Sequence, residues 1–235
     1  MKIKALPLVC GLVAAATHMT ASAGFVTLSS SGNTVLANCN PNNQTSSSTC
    51  RVTSLPGESG YSQYASRSTP IIINDVTVGT LYEKVWRNTS DSCLYIFGSK
   101  VVLNNAVWDD SGTAFVINDL FRRSLPDQSA SIAYYIDNAT IAAKLGGRTL
   151  QGLGEYSGNQ PARDNTWADV RVNANGAGSG GAVNSPWILV KTRATSGVAI
   201  DPFGVRALNS AATDLTEYYA TGYQPNGLPD GGGDD

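Results

Sequence analysis

Ile71-Ile72-Ile73-Asn74-Asp75-Val76-Thr77-Val78 is the stretch on which the fold turns. β-branched side chains flank an Asn-Asp pair, and such side chains fit a pleated, half-buried surface. Asn and Asp tolerate the left-handed backbone that a two-residue hairpin loop requires. The stretch therefore reads as a tight hairpin, whose second arm continues through Leu81 to Trp86. Leu94 to Leu103 is the next strand, with Tyr95, Phe97, Val101 and Leu103 on one side. Ala114–Phe121, Ser131–Ile136, Thr166–Asn173, Pro186–Arg193 and Gly197–Ile200 follow, and Val205–Leu208 is weaker. Upstream, Phe25–Leu28, Thr34–Ala37 and Arg51–Leu55 read as short strands. The polar, tyrosine-bearing run from Glu58 to Thr69 reads as an irregular loop. Helical signal is thin: Asp137 or Asn138 can cap a turn or two over Ala139–Leu145, stopped by Gly146-Gly147, and Ala211–Tyr219 is a second short candidate.

Many short β runs with Gly, Asn, Asp, Ser and Pro between them, and no alternation with long helices, predict a mostly β fold. The expected architecture is an antiparallel β-sandwich or jelly roll with one or two short helices. A parallel α/β sheet does not fit this pattern. The organisation expected is a signal peptide over 1–23, a single β domain over 24–228 and a flexible acidic tail over 229–235.

The leader carries Lys2 and Lys4, a short apolar run from Ala5 to Ala16, and Ala21-Ser22-Ala23 as the cleavage site. The only histidine, His18, falls inside it. A mature chain from Gly24 thus has no histidine, which excludes a Ser-His-Asp triad, a Cys-His dyad and an H-E-x-x-H zinc site. Charged residues make up 14% of the chain and hydrophobic ones 42%, so the polar surface must come from Ser, Thr, Asn, Gln and Gly. That composition belongs to extracellular β proteins. Arg122-Arg123 is the longest cationic run, so neither nucleic acid nor an anionic membrane surface is an expected partner. No apolar stretch beyond the leader is long enough to span a bilayer. The Met-Lys-Ile-Lys start reads as bacterial, and the Asn43, Asn88 and Asn138 glycosylation tripeptides are accordingly treated as unused.

Of the four cysteines, Cys10 leaves with the signal. Cys39 and Cys50 flank a polar loop and are expected to pair in an oxidising compartment. Cys93 is then left over, and its expected state is a buried free thiol.

Three constellations carry chemistry. In Thr166-Trp167-Ala168-Asp169-Val170-Arg171-Val172, alternation puts Ala168, Val170 and Val172 on a core face and Trp167, Asp169 and Arg171 on the other. A flat ring beside a carboxylate and a guanidinium suits a sugar: the ring stacks on C–H faces and the charged groups take hydroxyls. Trp187 shares a face with Leu189, Lys191 and Arg193, opposite Ile188 and Val190, and extends that platform if the two strands are neighbours. The second constellation is acidic. Asp109 and Asp110 sit in a turn and Asp119 in the following strand, where either Asn118 or Asp119 must point inward and needs partners. Calcium, a cation that takes loop carboxylates and carbonyls, is the candidate cofactor there, although EF-hand spacing is absent. The third is a carboxylate pair such as Glu83 and Glu155, which a glycosidase would require.

The reading that gathers most of this is a secreted, non-catalytic surface, matrix or adhesion module that binds carbohydrate or another copy of itself. Its rivals are a structural subunit of an extracellular fibre built by strand complementation, and a carboxylate-dependent polysaccharide hydrolase or lyase.

Overall fold

The structure is a computed structural model that describes residues 24–29, 37–38, 50–126, 128–137, 145–148, 164–178, 183–195, 197–209 and 216–227. Its strands are β1 (Val26–Leu28), β2 (Ala37–Asn38), β3 (Tyr61–Ile73), β4 (Val76–Asn88), β5 (Leu94–Leu103), β6 (Val116–Arg123), β7 (Ala130–Tyr135), β8 (Leu145–Gly147), β9 (Trp167–Asn175), β10 (Trp187–Arg193), β11 (Val198–Asn209) and β12 (Thr216–Pro225). They form two six-stranded antiparallel sheets. The first runs β1-β7-β10-β5-β4-β3 and the second β12-β11-β6-β9-β8-β2.

The hairpin of the opening stretch is present. β3 and β4 pair from Ile73↔Val76 back to Tyr61↔Asn88. Asn74 and Asp75, at φ 49° and 62°, take the left-handed backbone that the loop needs. The pairing runs further than the sequence suggests: Tyr61–Thr69 is strand, not loop. It escapes recognition because it is an edge, with Ser62, Ser66, Ser68 and Tyr64 exposed and only Ala65, Arg67 and Thr69 turned inward.

The sheets pack face to face as a sandwich. Leu81, Val101, Ile188 and Val190 of the first meet Ile117, Leu120, Val170 and Val172 of the second in one core. Most of these residues come from alternate positions along their strands, as a two-layer β fold requires, and the register shift after Ile117 accounts for the odd step to Leu120. At one place the interior is charged. Arg122 Nη1 donates to Glu83 Oε1 at 2.5 Å, and Arg122 Nη2 donates to the Tyr223 carbonyl at 2.6 Å. The Tyr223 amide donates to the same Glu83 oxygen at 3.0 Å. This buried ion pair ties β4 of one sheet to β6 and β12 of the other.

The first sheet is covered on its outer face as well. Trp86, Ile96, Ala133, Trp187 and Leu189 point outward under Phe25 and Val52. Val52 N donates to Tyr134 O, and Tyr134 N to Cys50 O, so this segment is bonded to the sheet it covers. Lys191 donates to Glu58 at 2.6 Å and closes the rim. The expected strand Arg51–Leu55 is reduced to a single Arg51↔Tyr134 bridge.

The expected short helices fare differently. Thr216–Tyr219 belongs to β12, because pairing with β11 overrides the local helical preference of the alanine-rich run before it. Leu145 opens β8, and the rest of both helical candidates lies outside the described residues. Cys50 and Cys93 are buried and neither is a free thiol, which corrects the expectation for Cys93. Cys39 lies outside the described residues, as do the expected leader over 1–23 and the expected tail over 229–235. Among the described residues no helix is long and apolar enough to cross a membrane.

Candidate functional site

The outer face of the second sheet is built differently from that of the first. Across β12, β11, β6 and β9 the register sets Tyr219 beside Arg206, Arg206 beside Phe121, and Phe121 beside Asp169. The neighbouring pairs are Arg123↔Trp167 and Asp119↔Arg171. Charges and aromatic rings therefore alternate along and across the strands.

The cations use the rings as their solvation. The Arg206 guanidinium carbon lies 4.0 Å from the Phe121 centroid and 4.9 Å from that of Trp167. Arg123 lies 4.1 Å from the Trp167 centroid. Phe121 and Trp167 meet edge to face at 6.3 Å. Guanidinium groups are weakly hydrated and stack on aromatic faces, so burial against rings suits arginine. Burial pushes the Arg123 pKa down, and the charges of Asp164 and Asp201 oppose that shift.

Toward β12 the face opens to solvent, and a bulge shapes the opening. Asp201 pairs with Gly222 and Val205 with Ala220, so Pro202, Phe203 and Gly204 together face a single residue of β12. The local sequence explains it. Pro202 has no N–H to give a ladder. The Asp201 carboxylate accepts the Phe203 N–H at 2.7 Å. Gly204 passes so close to β12 that a Cβ there would stand 2.4 Å from the Gly222 carbonyl oxygen. The bulge turns Phe203 outward against Tyr219, with ring centroids 5.2 Å apart and planes at 78°. Phe203 is 43% exposed and Tyr219 45%. The Tyr219 hydroxyl donates to Glu217 Oε2 at 3.0 Å, and Arg206 donates to Glu217 Oε1 at 3.3 Å. Burial, and then the hydrogen bond to Glu217, raise the Tyr219 pKa. The result is an open corner of two rings with an oriented carboxylate beside it.

The residues expected from the sequence fall partly into this arrangement. Ala168, Val170 and Val172 do face the core. Trp167 and Asp169 share the opposite face, but they are not open to solvent. Trp167 is 4% exposed, lying under the two guanidinium groups, and Asp169 is fully buried opposite Phe121. Arg171 is half-buried opposite Asp119. Trp187 cannot extend that platform, because β10 belongs to the first sheet and β9 to the second. Its indole N–H donates to Asp137 at 3.3 Å within the covered layer.

The acidic constellation is not gathered. Asp109 caps its own turn, accepting from the Ser111 amide and hydroxyl. Asp119 is buried on the outer face of β6, and Asn118 faces a bulge of β9 at Val172-Asn173, where its amide donates to Asn173 at 3.1 Å. Among the described residues no group of three or more His, Cys, Asp or Glu side chains is placed to hold a metal ion. Glu83 is sealed between the sheets, and Glu155 lies outside the described residues.

Phe203, Tyr219 and Arg206 are not singled out by the sequence, Arg123 is read there only as part of the longest cationic run, and Glu217 only as one more carboxylate. The one local signal was Asp201-Pro202-Phe203-Gly204, which breaks a strand-like run with turn residues and so marks a bulge as readily as a loop. No protein-family model matches the chain, and no curated protein or solved structure resembles it significantly.

Proposed function

We propose that the chain is a secreted, non-catalytic surface module that binds carbohydrate, and that its contact point is the Phe203–Tyr219 corner with Glu217, not Trp167. The observation that carries this reading is the pairing of two half-exposed rings with a carboxylate fixed by Arg206 and Tyr219. Aromatic faces take the apolar C–H side of a sugar, and a positioned carboxylate accepts its hydroxyls. The leader supports export, and the low charge supports a polar, uncharged partner.

The test is retention of the purified protein on a polysaccharide panel, with and without calcium, with released sugar measured in parallel. Retention without product is expected, and Tyr219→Ala should weaken it about tenfold, the equivalent of roughly 1.4 kcal/mol of lost stacking. Retention should survive chelation of calcium, since the corner does not depend on Asp109 and Asp110. Release of reducing ends or unsaturated sugar would make the protein an enzyme and overturn the proposal.

A second reading, a fibre subunit, draws on one feature. Among the described residues β12 pairs only with β11 in its sheet, and side chains, Glu83 and Arg122, meet its backbone at Tyr223. The other long edge, β3, is guarded by inward Arg67, by Pro70 and by two register shifts, the usual defences against strand addition. Polymers in electron micrographs would favour this reading.

A further inference from the structure

We infer that the Phe203–Tyr219 corner takes the terminal residue of a soluble glycan chain, and not the flat face of an ordered polysaccharide or the interior of a long chain. This rests on the carbohydrate reading above and narrows it.

An ordered polysaccharide presents its sugar rings in one plane, so a protein that lies on it needs aromatic rings that are coplanar. Here the planes stand at 78°. If one ring lies flat against a sugar, the other rises as a wall 5.2 Å away and blocks the next sugar along. The backbone under Phe203 is fixed by Pro202, by the Asp201 carboxylate on the Phe203 amide and by the close approach at Gly204, and its ring rests on Tyr219. Tyr219 is held at both ends, by its pairing with Arg206 and by its hydroxyl on Glu217.

The polar groups agree with the ring geometry. Glu217 offers acceptor oxygens beside Tyr219, and its side chain remains 40% exposed. A terminal sugar carries one more free hydroxyl than an internal one, and a fixed carboxylate rewards that hydroxyl. The corner is pre-organised, so little ordering cost is left to set against the contact.

The test titrates the full chain with cello-, xylo-, manno- and chito-oligosaccharides of increasing length by calorimetry. Microcrystalline cellulose and chitin powder are assayed in parallel by pull-down. The expected result is an affinity per chain that stops changing once the terminal residue is supplied, loss of binding when that end is chemically capped, and no retention on the powders. Phe203→Ala should lower the affinity for the terminal sugar about tenfold. Retention on the powders that soluble oligosaccharides do not compete away would overturn the inference and leave the carbohydrate reading standing. So would an affinity that climbs with each added sugar. Binding to none of these glycans, soluble or insoluble, would overturn both.

Discussion

The two sheets have the same number of strands and treat their outer faces in opposite ways. The first hides an apolar face, with Trp86, Trp187 and Leu189 under Phe25 and Val52, and its cations there are lysines, Lys191 paired with Glu58 and Lys84 over Trp187. The second buries arginines against aromatic rings and runs out into exposed rings at β12. A covered apolar face contributes stability. A face of stacked cations contributes less, because desolvating charge offsets the contact, but it can be rigid up to an edge that solvent reaches. The lesson is that the apolar layer holds the sandwich and the charged layer holds a shape.

That division has a direct test in the apolar layer. Trp187 is 5% exposed and packs among Trp86, Ile96 and Leu189. Trp187→Ala should cost about 3–5 kcal/mol, the usual range for a buried aromatic truncated to alanine. Denaturant titration measures it, and glycan retention per folded molecule should be unchanged. A cost below about 1 kcal/mol would mean that the cover over this sheet contributes little.

The charged layer should respond more weakly. Arg206→Leu keeps an apolar side chain between Phe121 and Trp167 but removes the cation and its bond to Glu217. The expected loss is about 1–2 kcal/mol, the range of a desolvated cation–π contact. Because Glu217 then loses one of its two anchors, affinity for the glycan should fall more than stability suggests. If stability falls as far as in Trp187→Ala, the two faces hold the sandwich equally.

At the exposed end the two properties should separate. Tyr219→Ala removes a ring that is 45% exposed, and its cost in stability should stay within about 0.5 kcal/mol, as for most surface positions. Its cost in glycan retention is the tenfold drop given above. The ratio of the two effects, compared with Trp187→Ala, places each residue on the holding or the binding side.

What was legible in the sequence follows the same line. The Ile71–Val78 hairpin could be read because turn chemistry and β-branched residues are local signals. The two faces of Thr166–Val172 could be read because alternation is local too. Whether an outward face is open is not local. Trp167 is covered by Arg123 of β6 and Arg206 of β11, and nothing in its own strand announces either. Tyr61–Thr69 was missed for a related reason. Its inward positions face Glu83 and Tyr223, where Arg67 is useful and an aliphatic side chain is not, so the apolar beat of a strand is absent. The Phe203–Tyr219 corner needs a bulge on one strand and its register with another, which no single run of sequence contains.

At alkaline pH the two sides differ through their tyrosines. Tyr61 packs beside the apolar layer of the first sheet, and burial raises its pKa to about 12, with Glu58 and Asp91 adding to the shift and Asn88 opposing it. In the unfolded chain the same phenol ionises near its ordinary value of 10.0. The folded state therefore holds its proton more tightly. The stability this gives is fully present below pH 10 and is lost as pH rises toward 12. Thermal midpoints should fall across that window, and Tyr61→Phe should flatten the fall because it removes the group that must ionise. Tyr219 is also raised, by burial and then by Glu217, so Tyr219→Phe removes a titrating group and leaves Glu217 with Arg206 as its anchor. Parallel alkaline curves for wild type and Tyr61→Phe would mean that the loss comes from other groups, and that the apolar side is no better sealed against charge than the other.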